Sequence, residues 1–314
     1  MVNFMRKIPA GTFLIPMIVS MVIYSFFPDL FAIGGPTQAF FSNAGTNYIV
    51  GLLVFASGTT VDLKKVGQLM KHQGILVLIK IILSIILGAI FLLLFGLDGI
   101  WGISGLGFVA VILSINPAVH LSIINMYGDK EDTAIYPFAV IPALPAIPLI
   151  MLSAYISGGF GGIDWAPIIS VFLPLVVGII LGNLDPQMGK LFAPVMPPAL
   201  MLLGWLLGQG MDMFEAIQSG LSGIIVTILF MVLSMPVMYF VDKKLLKYDG
   251  LNGISIATVA GMSTAVPATV GVALPQVAGD VTSATAQVLM AAIITSILAP
   301  MIIQRIDDRN KLKG

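Results

Sequence analysis

The 314-residue chain has no cysteine, two histidines and only 10% charged residues, with Lys+Arg and Asp+Glu balanced at 15 each. Each scarcity excludes something. Without cysteine there are no disulfides and no thiolate metal sites. With a net charge of zero there is no basic stripe to neutralise phosphates, which argues against a nucleic-acid partner. Neither HExxH nor GxSxG occurs, so the motifs of an intramembrane hydrolase are missing. Soluble domains carry charge on about a quarter of their residues. Here 58% of residues are hydrophobic and the mean hydropathy is +1.04, the composition of an all-α polytopic membrane protein.

Crossing a bilayer takes roughly 20 apolar residues, fewer where a helix is broken or packed. The sequence predicts ten transmembrane helices, over 11–28, 45–60, 74–96, 100–126, 133–156, 165–183, 196–211, 220–241, 252–275 and 282–303. Met1 to Lys7 and the apolar run after them imitate a signal peptide, but Pro16 sits in the run and no small-residue cleavage site follows, so a first helix is expected instead.

Loop charges check this count, because Lys and Arg collect on the cytoplasmic side of a bacterial-type membrane protein. With the N-terminus inside, fourteen of the fifteen basic residues fall on the cytoplasmic side. The alternate loops, with Asp29, Asp98, Asp164, Asp212, Glu215 and Asp280, contain neither Lys nor Arg. Both termini are therefore expected in the cytoplasm. The exception is Lys80, the one charged residue inside any predicted span.

Two of the spans are interrupted. Ser114-Ile115-Asn116-Pro117-Ala118-Val119-His120 breaks helix 4 near 114–120, and Thr264-Ala265-Val266-Pro267-Ala268-Thr269 breaks helix 9 near 263–269, with Pro117 and Pro267 separated by 150 residues. Proline removes a helix hydrogen bond, and in lipid the freed carbonyls need internal partners. The same offset relates Gly58-Thr59-Thr60-Val61-Asp62 to Gly208-Gln209-Gly210-Met211-Asp212. Five helices per half is an odd number, so a duplicated half inserts upside down. The expectation is two inverted five-helix repeats, residues 1–157 and 158–314, whose broken helices 4 and 9 cross. Each Asp run leads into a stretch expected to be an interfacial helix, Leu63 to Gln73 and Met213 to Ser219, with Asp62 and Asp212 as caps.

Unwound segments near the midplane expose helix ends whose partial charges hold ions and anionic groups. The candidate substrate-binding residues there are Ser114 and Asn116 in the first break and Ser263, Thr264 and Thr269 in the second. Ser57, Thr59 and Gln209, at the inner ends of helices 2 and 7, are candidate pocket-lining groups. His120 can carry a coupling proton, since histidine changes charge near neutral pH, or can be a buried hydrogen-bonding residue. Lys80 lies about 10 Å into helix 3 at 1.5 Å per residue. It either snorkels to the interface or faces the interior, where it needs an anionic substrate, a ring of carbonyls or deprotonation. The spacings Gly178 to Gly182 and Gly204 to Gly208 read as close helix packing.

Several runs resemble the 2-keto-3-deoxygluconate permease family: Ile8-Pro9-Ala10-Gly11 through Leu14-Ile15-Pro16, Gly74 to Lys80, Leu173-Pro174-Leu175-Val176-Val177-Gly178, Leu181-Gly182-Asn183-Leu184-Asp185-Pro186, Gly253-Ile254 and Ala260-Gly261. The resemblance runs along nearly the whole chain. It implies a bacterial inner-membrane symporter importing a sugar-acid anion with protons, without a cofactor. It also implies kinship with bile-acid symporters and sodium/proton antiporters, built from a core domain (helices 3–5 and 8–10) and a panel domain (helices 1, 2, 6 and 7). A sodium-coupled organic-anion symporter is the alternative within transport. At the first break, where the resemblance suggests acidic residues, Asn116, Pro117 and His120 stand instead.

Overall fold

The structure, a computed structural model, describes residues 2–5, 11–42, 45–63, 72–116, 119–120, 123, 145–163, 165–209 and 213–311. Among these the chain is helical, and its only β pairing is an isolated bridge between Ile100 and Ile103. The helices are α1 (Gly11–Phe26), α2 (Gly35–Phe41), α3 (Thr46–Thr59), α4 (His72–Phe95), α5 (Gly105–Leu113), α6 (Ala146–Ile156), α7 (Trp165–Leu184), α8 (Pro186–Phe192), α9 (Met196–Gly208), α10 (Met213–Phe240), α11 (Leu251–Ile256), α12 (Ala265–Ala273) and α13 (Val281–Lys311). Among the described residues four stretches are long and apolar enough to cross a membrane: Gly74–Phe95, Pro186–Leu206, Gly220–Leu245 and Pro275–Asp308. With the shorter apolar helices Ile15–Phe26, Asn47–Thr59, Ala146–Ile156 and Ile168–Leu184, they make this a multi-pass membrane protein.

Three places differ from the sequence expectation, each for a local reason. The fourth span starts later than residue 100: residues 96–104 form a looped turn in which Gly96, Gly99, Gly102 and Trp101 all have positive φ, backbone that a helix cannot use. Met213 to Ser219 is no separate interfacial helix but the first turns of α10, since nothing between Phe214 and Gly220 interrupts helix propagation. Helix 9 breaks earlier than expected, at 257–264 rather than 263–269. The first-half counterpart of Met213 to Ser219, Leu63 to Gln73, lies mostly outside the described residues, and Pro117 and Asp212 lie wholly outside them.

Small residues set how closely the helices approach. α3 packs on α7, and a Cβ built on Gly58 would meet the Leu175 carbonyl oxygen, while one on Gly178 would meet that of Phe55 and one on Gly182 that of Thr59. α9 packs on α1 with Gly208 against the Met17 backbone. A second body of packing joins α10 to α13, α5 to α4 and α13, and α11 to α10 and α13. All nine residues of α5 are buried, which fits a helix that is apolar on every side.

The Leu181-to-Pro186 run shows what its residues do. Asn183 Nδ2 donates to the carbonyls of Val61 (2.7 Å) and Ile179 (2.7 Å), and its Oδ1 accepts from Leu63 N (2.9 Å). The side chain thus pairs with the backbone where α3 ends. Asp185 caps α8 by accepting from Gln187 N (2.9 Å), with Pro186 in the first turn, the position where proline's missing N–H costs nothing.

Candidate functional site

Ser104 starts α5, its hydroxyl accepting from Gly107 N at 3.1 Å. The helix stops at Leu113, and Ser114 is extended (φ −69°, ψ 146°). A helix end leaves carbonyls without intrahelical donors, and here the Ile112 carbonyl is served from another helix. Lys80 Nζ donates to it at 2.7 Å and Ser84 Oγ at 2.7 Å, while Lys80 also donates to Ser84 Oγ at 2.6 Å. Lys80 is 1% exposed, so it does not snorkel. Its Nζ lies 5.1 Å from the centroid of Phe230, a cation–π distance. A cation at the C-terminal end of α5 is the favourable sign for the helix dipole.

Phe230 stands 150 residues on from Lys80, and Ser234 the same distance from Ser84. The two positions related by the sequence offset thus meet face to face, one cationic and one aromatic. Ser234 Oγ is buried and, unlike Ser84, has no hydrogen-bond partner among the described residues.

Asn116 begins a new helical turn. Its carbonyl accepts from His120 N (3.0 Å) and its Oδ1 from Val119 N (3.2 Å), the hydrogen bonds of an N-cap. In sequence Pro117 follows, the residue favoured in the first position of a helix. Asn116 therefore starts a helical turn.

The second break is held from the first. α11 ends at Ile256, residues 258–260 are non-helical, Gly261–Thr264 form a 3-10 turn, and α12 begins at Ala265 with Pro267 in its first turn. Freed backbone groups in this stretch find side chains. Asn116 Nδ2 donates to Val259 O (3.1 Å) and Ser296 Oγ (3.3 Å), Val259 N donates to Thr295 Oγ1 (3.0 Å), and Ala260 N donates to Ser114 Oγ (2.9 Å). Ser114 and Ser263 hydroxyls share a hydrogen bond of 2.7 Å. The two interruptions expected from sequence are in direct contact.

His120 is fully buried, and its Nδ1 lies 2.6 Å from Ser255 Oγ, which also donates to Asn252 O at 2.8 Å. One hydroxyl carries one proton. While Ser255 donates to Asn252, His120 Nδ1 must be the donor, and Nε2 is then the basic nitrogen.

The remaining candidates lie as follows. Thr264 Oγ1 donates to Gly261 O (2.6 Å) and Thr269 Oγ1 to Ala265 O (2.8 Å), so both hydroxyl protons stay within the second break and α12. Ser57 and Thr59 are buried on α3 and donate to Leu53 O (2.8 Å) and Ala56 O (2.7 Å). Their helix packs on α12. Gln209, half-buried, follows α9. The structure therefore joins Ser114 to Ser263 directly, ties Asn116 to the second break through the Val259 carbonyl, sets Lys80 under the end of α5 and His120 against α11, and leaves Ser57 and Thr59 on α3 and Gln209 just past α9. Thr59 also lines a cavity of 410 Å³ with Thr60, Asp62, Asn183 and Lys190 at the ends of α3, α7 and α8.

Sequence reasoning missed Ser84, Ser255, Thr295 and Asp242. Ser84 was findable, four residues from Lys80 on one helix face. Asp242, fully buried where α10 passes into a π-helical turn (Val241–Leu245), accepts from Gly253 N at 3.1 Å, and it lies one residue past the predicted span.

The sequence model of the 2-keto-3-deoxygluconate permease family matches residues 2–312. The 2-keto-3-deoxygluconate permease of Bacillus subtilis is 29% identical over 314 residues, covering 98% of this chain and 94% of its own. The 2-keto-3-deoxygluconate permease 1 of Salmonella typhimurium is 29% identical over 298 residues (95% and 92%). The 2-keto-3-deoxygluconate permease of Xanthomonas oryzae is 28% identical over 305 residues (95% and 94%).

Proposed function

The chain belongs to the 2-keto-3-deoxygluconate permease family, transporters rather than enzymes, and from that premise we propose that it is a secondary active transporter importing 2-keto-3-deoxygluconate or a related sugar-acid anion by proton symport with alternating access. The observation that carries the reading is the contact of the two breaks through Ser114 and Ser263, in a chain similar to permeases along its whole length. The proposed setting is a bacterial inner membrane with both termini cytoplasmic. The proposed architecture is two inverted five-helix repeats forming a core and a panel.

A sugar acid brings one carboxylate, a keto group and several hydroxyls. The turn capped by Asn116 and the N-terminus of α12 offer partial positive charge to the carboxylate. Lys80, committed to Ser84 and Ile112, acts through its field, which is strong in a low-dielectric interior. Thr264, Thr269, Ser57 and Thr59 spend their protons on neighbouring carbonyls and one of Ser114 and Ser263 donates to the other, but a hydroxyl oxygen keeps acceptor capacity. They suit a ligand rich in hydroxyl donors. Asn116 and Gln209 add amide groups at the two edges, and His120 takes the proton. Access alternates as the broken helices move against α3 and α7, whose glycine-paired backbones make a rigid partner.

The test is uptake of labelled 2-keto-3-deoxygluconate into proteoliposomes, first under a pH gradient and then under a sodium gradient at fixed pH. Accumulation driven by the pH gradient alone is the expected result. No gradient-driven uptake of this or any related keto-acid overturns the reading, and sodium dependence at fixed pH transfers the chain to the sodium-coupled class.

A further inference from the structure

Where α10 and α13 run side by side near their basic ends, eight side chains, Met231, Val232, Met235, Pro236, Tyr239, Ile254, Ile302 and Ile306, line a groove of 340 Å³. Seven are aliphatic or thioether, and the eighth, Tyr239, presents its polar tip at one end. Val232 is 63% exposed, so the groove opens outward to the acyl region of a bilayer. From Val232 to Tyr239 it runs about 10 Å along α10 at 1.5 Å per residue.

Positive charge closes the end that Tyr239 marks. Lys243 Nζ donates to Tyr239 Oη at 2.7 Å and sits 5.1 Å from the ring centroid. Lys243 and Lys244 follow one another in the π-helical turn Val241–Leu245. On the opposing helix Arg305, exposed, precedes the groove residue Ile306. The nearest carboxylates in sequence on α13, Asp307 and Asp308, lie beyond Ile306. The arrangement is an apolar slot capped by a tyrosine, a residue enriched at membrane–water interfaces, with Lys243 on that tyrosine and Arg305 next in sequence to a lining residue of the opposing helix.

We infer that this groove holds an acyl chain of an anionic phospholipid whose head group is bound by Lys243, Lys244 and Arg305. A zwitterionic lipid fills the slot equally well but gains nothing from the cations, and basic residues near a membrane surface are the elements that select anionic head groups. The occupant reaches the crossover. Ile254 lines the groove and belongs to α11, whose Ser255 holds His120. A seated chain therefore braces the half-helix that positions the histidine, a consequence that rests on the transport reading above, whereas binding itself does not.

The test is native mass spectrometry of the full chain in mild detergent, titrated with phosphatidylglycerol or phosphatidylcholine of equal chain length. The expected result is one retained phosphatidylglycerol, bound at least tenfold more tightly than phosphatidylcholine and not displaced by soluble glycerol phosphate. Lys243→Gln and Lys244→Gln should weaken phosphatidylglycerol roughly fivefold per charge and leave phosphatidylcholine unchanged. Val232→Trp, at an exposed position, should weaken both. Equal binding of the two lipids, lysine variants that bind as the parent does, or a second copy of the chain that occupies the groove and excludes lipid would each overturn the inference.

Discussion

Lys80 donates to the carbonyl of Ile112 at 2.7 Å, two residues before α5 gives way to the first break. A cation with only neutral acceptors, buried in the bundle, is costly unless it has work to do. Here it neutralises the negative end of a half-helix and adds a positive field beside the crossover.

Replacing it separates those two contributions. Lys80→Met removes charge and donor while keeping the stem's bulk, and Ser84 still donates to Ile112. Loss of the positive field on the substrate carboxylate predicts a KM for the sugar acid raised by roughly tenfold with expression preserved, and loss of the charged hydrogen bond to Ile112 predicts a fall in stability of about 2 kcal/mol. Lys80→Arg should not restore uptake, because the planar guanidinium needs a different set of acceptors from the compact ammonium. Uptake kinetics on both variants check this.

Asn116 is the brace between the breaks, capping one turn and bonding Val259 of the other. Asn116→Ala loses a cap worth about 1 kcal/mol and a buried hydrogen bond worth about 1 kcal/mol, so a fall of about 2 kcal/mol in stability is expected. Asn116→Asp keeps the cap acceptor but turns an oxygen toward the Val259 carbonyl, and it should also fall below the parent. Thermal unfolding in detergent gives the order.

The glycine seam between α3 and α7 offers a matched pair. Gly178→Ala puts a methyl on the Phe55 carbonyl oxygen, and overpacking of this kind costs about 1–3 kcal/mol. Gly51→Ala on the same α3 has open space and should be neutral or stabilising by up to about 1 kcal/mol. If Gly178→Ala melts with the parent, the seam is not where the helices touch.

Asn183 makes three backbone bonds at once. Asn183→Asp retains acceptance from Leu63 N but gives up both donations, to Val61 and Ile179. A cost of about 1–3 kcal/mol for buried acceptors left without donors is expected, read as faster proteolysis at the end of α3.

Long apolar spans such as Gly74–Phe95, Gly220–Leu245 and Pro275–Asp308 were legible because apolar length and glycine or proline punctuation mark them directly. The first break was legible as a position, and its Asn-Pro pair, a cap residue followed by the residue favoured at the first helical position, also marks the helix start at Asn116. The second break was displaced because Pro267 sits in the first turn of α12, where it disrupts nothing. The real interruption, from Ala257 to Thr264, contains no proline to announce it. Lys80's partner was not legible at all, since a carbonyl freed by a helix end has no sequence letter. Asp242 escaped for a similar reason, because its burial comes from the chain folding back at Gly253 and not from its neighbours in sequence.

The central claim is that sugar-acid movement carries a proton through His120. Its most direct test is a pH-sensitive dye sealed inside proteoliposomes with no imposed gradient, to which 2-keto-3-deoxygluconate is added outside. The account predicts acidification of the lumen that follows substrate entry, and in His120→Gln entry without acidification or no entry. Substrate entry with an unchanged lumenal pH, or acidification undiminished in His120→Gln, would contradict it.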